Sequence, residues 1–105
     1  MPSWREGEVT RLLGIAASQG DAEAQAKLGC MHYVGDGVPQ DYAEARRLFG
    51  LAAAQGDAMA QLHLGGMHLH GRGGPLDFAE ARRLYELAAA QGDAAQHRHV
   101  KRRGW

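Results

Sequence analysis

A single cysteine, Cys30, is present in 105 residues. An internal disulfide is therefore excluded, and a reducing compartment is the natural setting. Net charge is missing as well, because 12 Lys and Arg offset 12 Asp and Glu. No overall field draws such a chain to nucleic acid or to anionic lipid. Nor does any stretch approach the roughly 18 apolar residues that cross a bilayer. The first apolar run, residues 12–17, is too short for a secretory h-region, and Glu6 and Glu8 precede it. These absences predict an intracellular, cytoplasmic location.

What is present is repetition. Residues 21–56 and 57–92 align without a gap and are identical at 24 of 36 positions. The run Ala43-Glu44-Ala45-Arg46-Arg47-Leu48 returns unchanged as Ala79-Glu80-Ala81-Arg82-Arg83-Leu84. Leu12, Gly14, Ala16, Ala17, Gln19 and Gly20 match the end of the following unit, and Asp93-Ala94 restarts the frame. A fixed period of this length signals stacked repeats, which bury a continuous core only from about three units upward. One array over 1–105 is expected. It divides into a partial unit at 1–20, whole units at 21–56 and 57–92, and the start of a further unit with a basic tail at 93–105. Because the frame breaks off inside that last unit, a piece of a longer array that self-associates end to end is a second expectation.

Each unit reads as a helical hairpin. Asp21 is an N-cap residue, and Ala22, Ala24, Gln25, Ala26, Lys27 and Leu28 favour helix. Gln25, Leu28, Gly29 and His32 recur at i, i+3, i+4 and i+7 and share one face of this helix A. Gly35 and Gly37 end it and Pro39 bars continuation. Asp41 caps helix B, with Glu44 placed for a capping box. Tyr42, Ala45, Phe49 and Ala52 form its apolar stripe, and Glu44 and Arg47 pair on the wet face. Six helices are predicted, near 6–18, 22–34, 41–54, 58–70, 77–90 and 94–102. Val38 gives way to Gly74 in the second copy, which predicts a looser second hairpin.

Leu28-Gly29, Met31, Gly35-x-Gly37-Val38, Asp41, Ala45 and Ala52-Ala53-x-x-Gly56 resemble the Sel-one-like repeat, a relative of the tetratricopeptide repeat. The resemblance implies an all-α, right-handed superhelical solenoid of α/α hairpins. It implies an adaptor or scaffold that gathers partner proteins, with helix A lining the concave surface and no catalytic residue. Some secreted relatives bind or hydrolyse β-lactams, but those resemble arrays stapled by paired cysteines, which this chain lacks. Histidine at 32 and 68 and leucine at 48 and 84 stand where the family often has an aromatic residue. That loss of volume predicts looser packing.

The copies differ most on the helix A positions that stacking does not use. These are Glu23, Ala26, Lys27, Cys30, Tyr33 and Val34, opposite Met59, Leu62, His63, Gly66, Leu69 and His70. Shared positions serve stacking; differing ones are free to serve a particular partner. These twelve residues are the predicted binding surface for a protein or peptide, with Tyr33, Val34, Met59, Leu62 and Leu69 offering apolar area. No metal or cofactor is expected: His68 and His70 point to different sides of a helix, and no His pair at i, i+4 exists. His32 and His68 are read as packed neutral rings. Cys30 lacks a positioned base, so no enzyme activity is expected. The glycines at 71, 73 and 74 follow a helix, unlike a phosphate cradle. The basic run over 97–103 is the one feature that would suit nucleic acid, and it is read as a solvated helix end. Trp4 and Trp105 are placed to cover the ends of the stack.

Overall fold

Four aspartates start four helices. The computed structural model describes residues 6–102, with side chains described for residues 7–92. Its helices are α1 (Glu6–Ser18), α2 (Ala22–Val34), α3 (Tyr42–Ala54), α4 (Ala58–His70) and α5 (Phe78–Arg102). Among the described residues there is no strand. Asp21, Asp41, Asp57 and Asp77 each accept a hydrogen bond from the backbone N–H three residues on, at 3.0, 3.0, 2.8 and 3.0 Å. Each such cap stabilises its helix by about 1 kcal/mol. Gly35 and Gly71 close α2 and α4 in the left-handed conformation, with φ of 80° and 65°. The expected capping box is only half formed. The Asp41 N–H donates to the His32 carbonyl at 2.8 Å, so Glu44 is released to hold Arg47 at 2.5 and 2.9 Å.

Each helix packs against its neighbours in sequence, α1 on α2, α2 on α3, α3 on α4 and α4 on α5. Small residues make this possible. A Cβ added at Gly29 would lie 3.0 Å from the Phe49 ring, and one at Gly65 would lie 3.0 Å from Tyr85. The helix A glycine of each unit is therefore the seat for the helix B aromatic of the same unit. Ala45, Phe49 and Ala52 of α3 are fully buried against Ala60, Leu64 and Met67 of α4, so the main core spans the junction between the two units. A second cluster, Ala17, Ala24, Leu28 and Leu48, joins α1 to the first unit.

Polar groups repeat with the same regularity. Gln25 and Gln61, each 4 % exposed, donate to the carbonyls of Ala17 and Ala53 at 3.1 and 3.3 Å. Their side-chain oxygens accept from Gln55 and Gln91 at 2.9 and 3.0 Å. Gln55 and Gln91 also donate to the carbonyls of Gly20 and Gly56, both at 2.9 Å. A glutamine ladder thus bridges every pair of units, and no buried side-chain nitrogen or oxygen lacks a partner among the described residues. Buried polar groups satisfied in this way fix register as well as adding stability.

Two expectations need correction. Among the described residues five helices are found where six were predicted, because α5 continues through Gly92 and Asp93. At the preceding junction Gly56 turns the chain with φ 95° and α4 folds back onto α3. A third fold-back would put Gln96 and Arg103 at the places that Ala60 and Met67 occupy at 0 % and 1 % exposure. Burying such groups without partners costs several kcal/mol. The chain instead follows the helical propensity of Ala94, Ala95 and Gln96. Nor is the second hairpin loop looser than the first. Gly74 leaves room for the Arg46 guanidinium, whose Nη1 would lie 2.6 Å from a Cβ at that position. Leu48 and Leu84 are each 2 % exposed and border two equivalent surface hollows. One, of about 370 Å³, is lined by Leu48 and Leu51, and the other, of about 440 Å³, by Leu84 and Leu87. Trp4, Trp105 and the basic side chains over 97–103 lie outside the described residues.

Candidate functional site

The twelve helix A positions separate into a structural set and an exposed set. Ala26 is 5 % exposed and belongs to the main core, so it offers a partner almost nothing. Cys30 and Tyr33 pack against that core. His63 stacks on Phe49, with centroids 4.9 Å apart and planes at 19°. Gly66 lies under the Tyr85 hydroxyl. Tyr33, predicted as an anchor for a partner, is engaged within the chain. Its ring meets Tyr42 at 5.1 Å, and its hydroxyl accepts a hydrogen bond from Arg72. The Arg72 guanidinium also stands 5.9 and 5.8 Å from the two ring centres, within cation–π range. Leu69 faces the far end of the stack, beside Phe78 and Tyr85. His70, the last helix A position, is exposed.

The exposed set gathers on α2 and α4. Val34, Met59 and Leu62 are 66 %, 57 % and 50 % exposed. Met59 borders a hollow of about 430 Å³ floored by Leu13, Ala26, Cys30 and Met31 and rimmed by Glu23, Lys27 and Asp57. Glu23 and Lys27 form a solvent-exposed ion pair at 3.7 Å, which is worth a few tenths of a kcal/mol at most. Asp57 is committed to capping α4. The hollow is thus apolar within and polar at its edge, the usual arrangement of a recognition site. Leu13 and Met31 were missed in the sequence reading. Leu13 lies in the partial unit and Met31 is identical in both copies, so neither shows up in a search for differences between copies.

Cys30 Sγ stands 3.9 Å from His63 Nε2. This thiol is not activated: burial, and then the Asp57 carboxylate, push its pKa above the ordinary value. A nucleophile needs the opposite shift. Among the described residues no three His, Cys, Asp or Glu side chains converge as a metal site would require. No described helix is long and apolar enough to cross a membrane.

The clearest polar cluster was not predicted. Arg46 of α3 reaches across to the second hairpin loop and donates to the carbonyls of Arg72 and Pro75 at 3.0 and 2.8 Å. It also lies 2.6 Å from His68 Nδ1. Arginine only donates, so Nδ1 must accept and the proton of neutral His68 sits on Nε2. His32, the counterpart of His68, meets only the Pro39 carbonyl at 3.4 Å. Burial, and then the Arg46 charge, hold the His68 pKa below its ordinary value of 6.5. Glu80 and Asp77 oppose this shift and Arg83 adds to it. A lowered histidine pKa means that the unfolded chain binds the proton more readily. Stability is then complete well above pH 6.5 and declines as pH falls through that value toward the lowered native one. The unfolding temperature is expected to drop between pH 7.5 and 5.5. The drop should largely vanish in His68→Asn, whose side-chain oxygen keeps an acceptor for Arg46 without titrating. An equal drop in both proteins would place the effect elsewhere. Glu44 and Glu80 cannot produce it, since Arg47 and Arg83 lower their pKa values from 4.5.

The Sel1 repeat model matches residues 22–57 and 58–93. Among solved structures, a protective antigen of uropathogenic Escherichia coli displaying an SLR fold is 37% identical, with a TM-score of 0.78 over 81% of this chain and 19% of its own. A Sel1 repeat protein from Oxalobacter formigenes is 36% identical, with a TM-score of 0.79 over 90% of this chain and 28% of its own. This chain therefore spans a minor part of either protein. Helicobacter pylori cysteine rich protein B superposes with a TM-score of 0.80 over 85% of this chain and 67% of its own. At 21% identity that likeness is one of fold alone. No curated protein sequence matches the chain.

Proposed function

This chain belongs to the Sel1 repeat family, whose members are in general protein-interaction modules on non-enzymatic helical scaffolds, and from that premise we propose that it binds a peptide or partner protein in the hollow between α2 and α4. One observation carries the reading. Two units identical at two-thirds of their positions differ along helix A, and three exposed members of that set, Glu23, Lys27 and Met59, line one apolar hollow. Met59 supplies contact area at its edge, and Leu62, 50 % exposed and three residues on along α4, extends the apolar surface. Glu23 and Lys27 rim it and give selectivity, because charge at a rim steers partners more than it adds affinity. Cys30 forms its floor with Leu13 and Met31.

Met59→Ser with Leu62→Ser tests the proposal. Both residues are more than half exposed or close to it, so the fold should survive. Burying either side chain in a complex contributes about 1–2 kcal/mol. The pair should therefore weaken capture of partners identified with the unaltered chain by at least about tenfold. Leu51→Ser with Leu87→Ser, at 44 % and 42 % exposure on helix B, is the control and should change nothing. Undiminished capture by the first variant, or equal loss in the control, would refute the site.

A further inference from the structure

The far end of the stack carries a second apolar surface, independent of the hollow between α2 and α4. Phe78, Ala81, Tyr85 and Ala89 of α5, with Leu69 of α4, line a depression of about 410 Å³. One repeat earlier the same places are held by Tyr42, Ala45, Phe49, Ala53 and Tyr33. There they belong to, or pack on, the core cluster that contains Ala60, Leu64 and Met67 of α4. Burial follows occupancy. Phe49 and Ala53 are 0 % and 8 % exposed, whereas Tyr85 is half-buried and Ala89 exposed, and Phe78 is 63 % exposed. Arg82 shows the same contrast. Its counterpart Arg46 grips two carbonyls of the following loop, while Arg82 reaches only Glu86, four residues on, at 3.2 Å.

The molecule therefore displays, one repeat earlier, what fits this surface. We propose that the end face formed by Leu69, Phe78, Tyr85 and Ala89 docks an amphipathic helix of another protein. That helix carries a small residue, Leu and Met at i, i+4 and i+7 and ends in a glycine turn whose carbonyls Arg82 takes. Residues 93–103 do not supply such a stripe, since Gln96, Val100 and Arg103 stand at the corresponding places. In a second copy both helix A stripes of this kind are already covered. Ala60, Leu64 and Met67 are buried under α3, and Ala24 and Leu28 are buried under α1. An apolar face left uncovered at a repeat junction is where a stacked array takes its next helix.

The test uses the full chain and a synthetic peptide of residues 57–76, the sequence of α4 with its glycine turn and the Arg72 and Pro75 carbonyls. Saturable binding is expected, with NMR shift changes at Leu69, Phe78 and Tyr85. A peptide with Leu64→Glu and Met67→Glu should not bind. Phe78→Glu with Ala89→Arg in the protein should weaken the complex roughly tenfold, as loss of one large apolar contact does. Both sites are exposed and both replacements favour helix; if that variant misfolds, the peptide changes still decide. Shift changes at Met59 and Leu62 instead, or no saturation up to millimolar peptide, would overturn the proposal. So would a concentration-dependent dimer abolished by Phe78→Glu, since the face would then belong to a second copy.

Discussion

Phe49→Ala is expected to remove most of the stability of the array. The ring is fully buried. It rests on the bare backbone of Gly29 and stacks on His63 of the next unit. It therefore joins helix A of its own unit to helix A of the following one. Deleting a buried phenylalanine costs about 3–5 kcal/mol through lost transfer energy and the cavity left behind. A domain of this length has a total of only about 5–15 kcal/mol. The unfolding midpoint should fall by roughly 15 °C or more. Tyr85→Ala is the internal comparison. Its ring fills the same niche against Gly65, but no following unit covers it. About half the loss is expected there, because the half-buried ring loses less on truncation. Thermal melts of the two variants decide the point. Equal losses would mean that burial is not graded from the interior of the stack to its end.

Much of this arrangement was legible in the sequence because it depends on local rules. The aspartate caps, the terminating glycines and the three-four spacing of small residues place α1, α2 and α4 at the predicted bounds, and α3 within one residue. The sequence places Gly29 on the packing face of helix A, and only the structure shows that Phe49 occupies the space above it. The fusion of α5 was missed because the repeat frame restarts at Asp93, while the residues that must be buried do not return with it. Frame and burial are separate requirements, and only their agreement folds a hairpin back. The Arg46 clamp was missed for a different reason. It joins residues about one repeat apart through backbone carbonyls, and carbonyls leave no mark in a sequence. Its one trace was the change from Val38 to Gly74. Read alone that is a loss of volume; beside Arg46 it is the space a guanidinium needs. For the proposed binding surface, the contrast between copies also picks out residues that have duties inside the chain. Tyr33 differs from Leu69 because it has an internal duty with Tyr42 and Arg72, and difference alone does not separate that from service to a partner.

Gly73→Ala should be the most costly change in the loops, and Gly56→Ala shows why. Both glycines adopt positive φ, 75° and 95°. Alanine pays about 1–2 kcal/mol in that region through its Cβ. At Gly56 nothing lies within 4 Å of the added carbon, so the cost ends there. At Gly73 the carbon would fall 2.4 Å from the Tyr42 carbonyl oxygen and 2.7 Å from its carbonyl carbon. These are backbone atoms at the start of α3, and no rotamer change relieves the contact. The loop must withdraw from the first unit. Withdrawal takes the Arg72 and Pro75 carbonyls away from Arg46 and leaves His68 without its donor. Each lost hydrogen bond adds about 1 kcal/mol, and those to a charged group add more. Gly73→Ala is therefore expected to cost at least about 4 kcal/mol in urea unfolding, against about 1–2 kcal/mol for Gly56→Ala. The larger loss should also reduce the dependence on pH between 7.5 and 5.5, because His68 no longer faces Arg46. Equal costs at the two glycines, or an unchanged pH dependence in Gly73→Ala, would show that the loop does not hold the two units together.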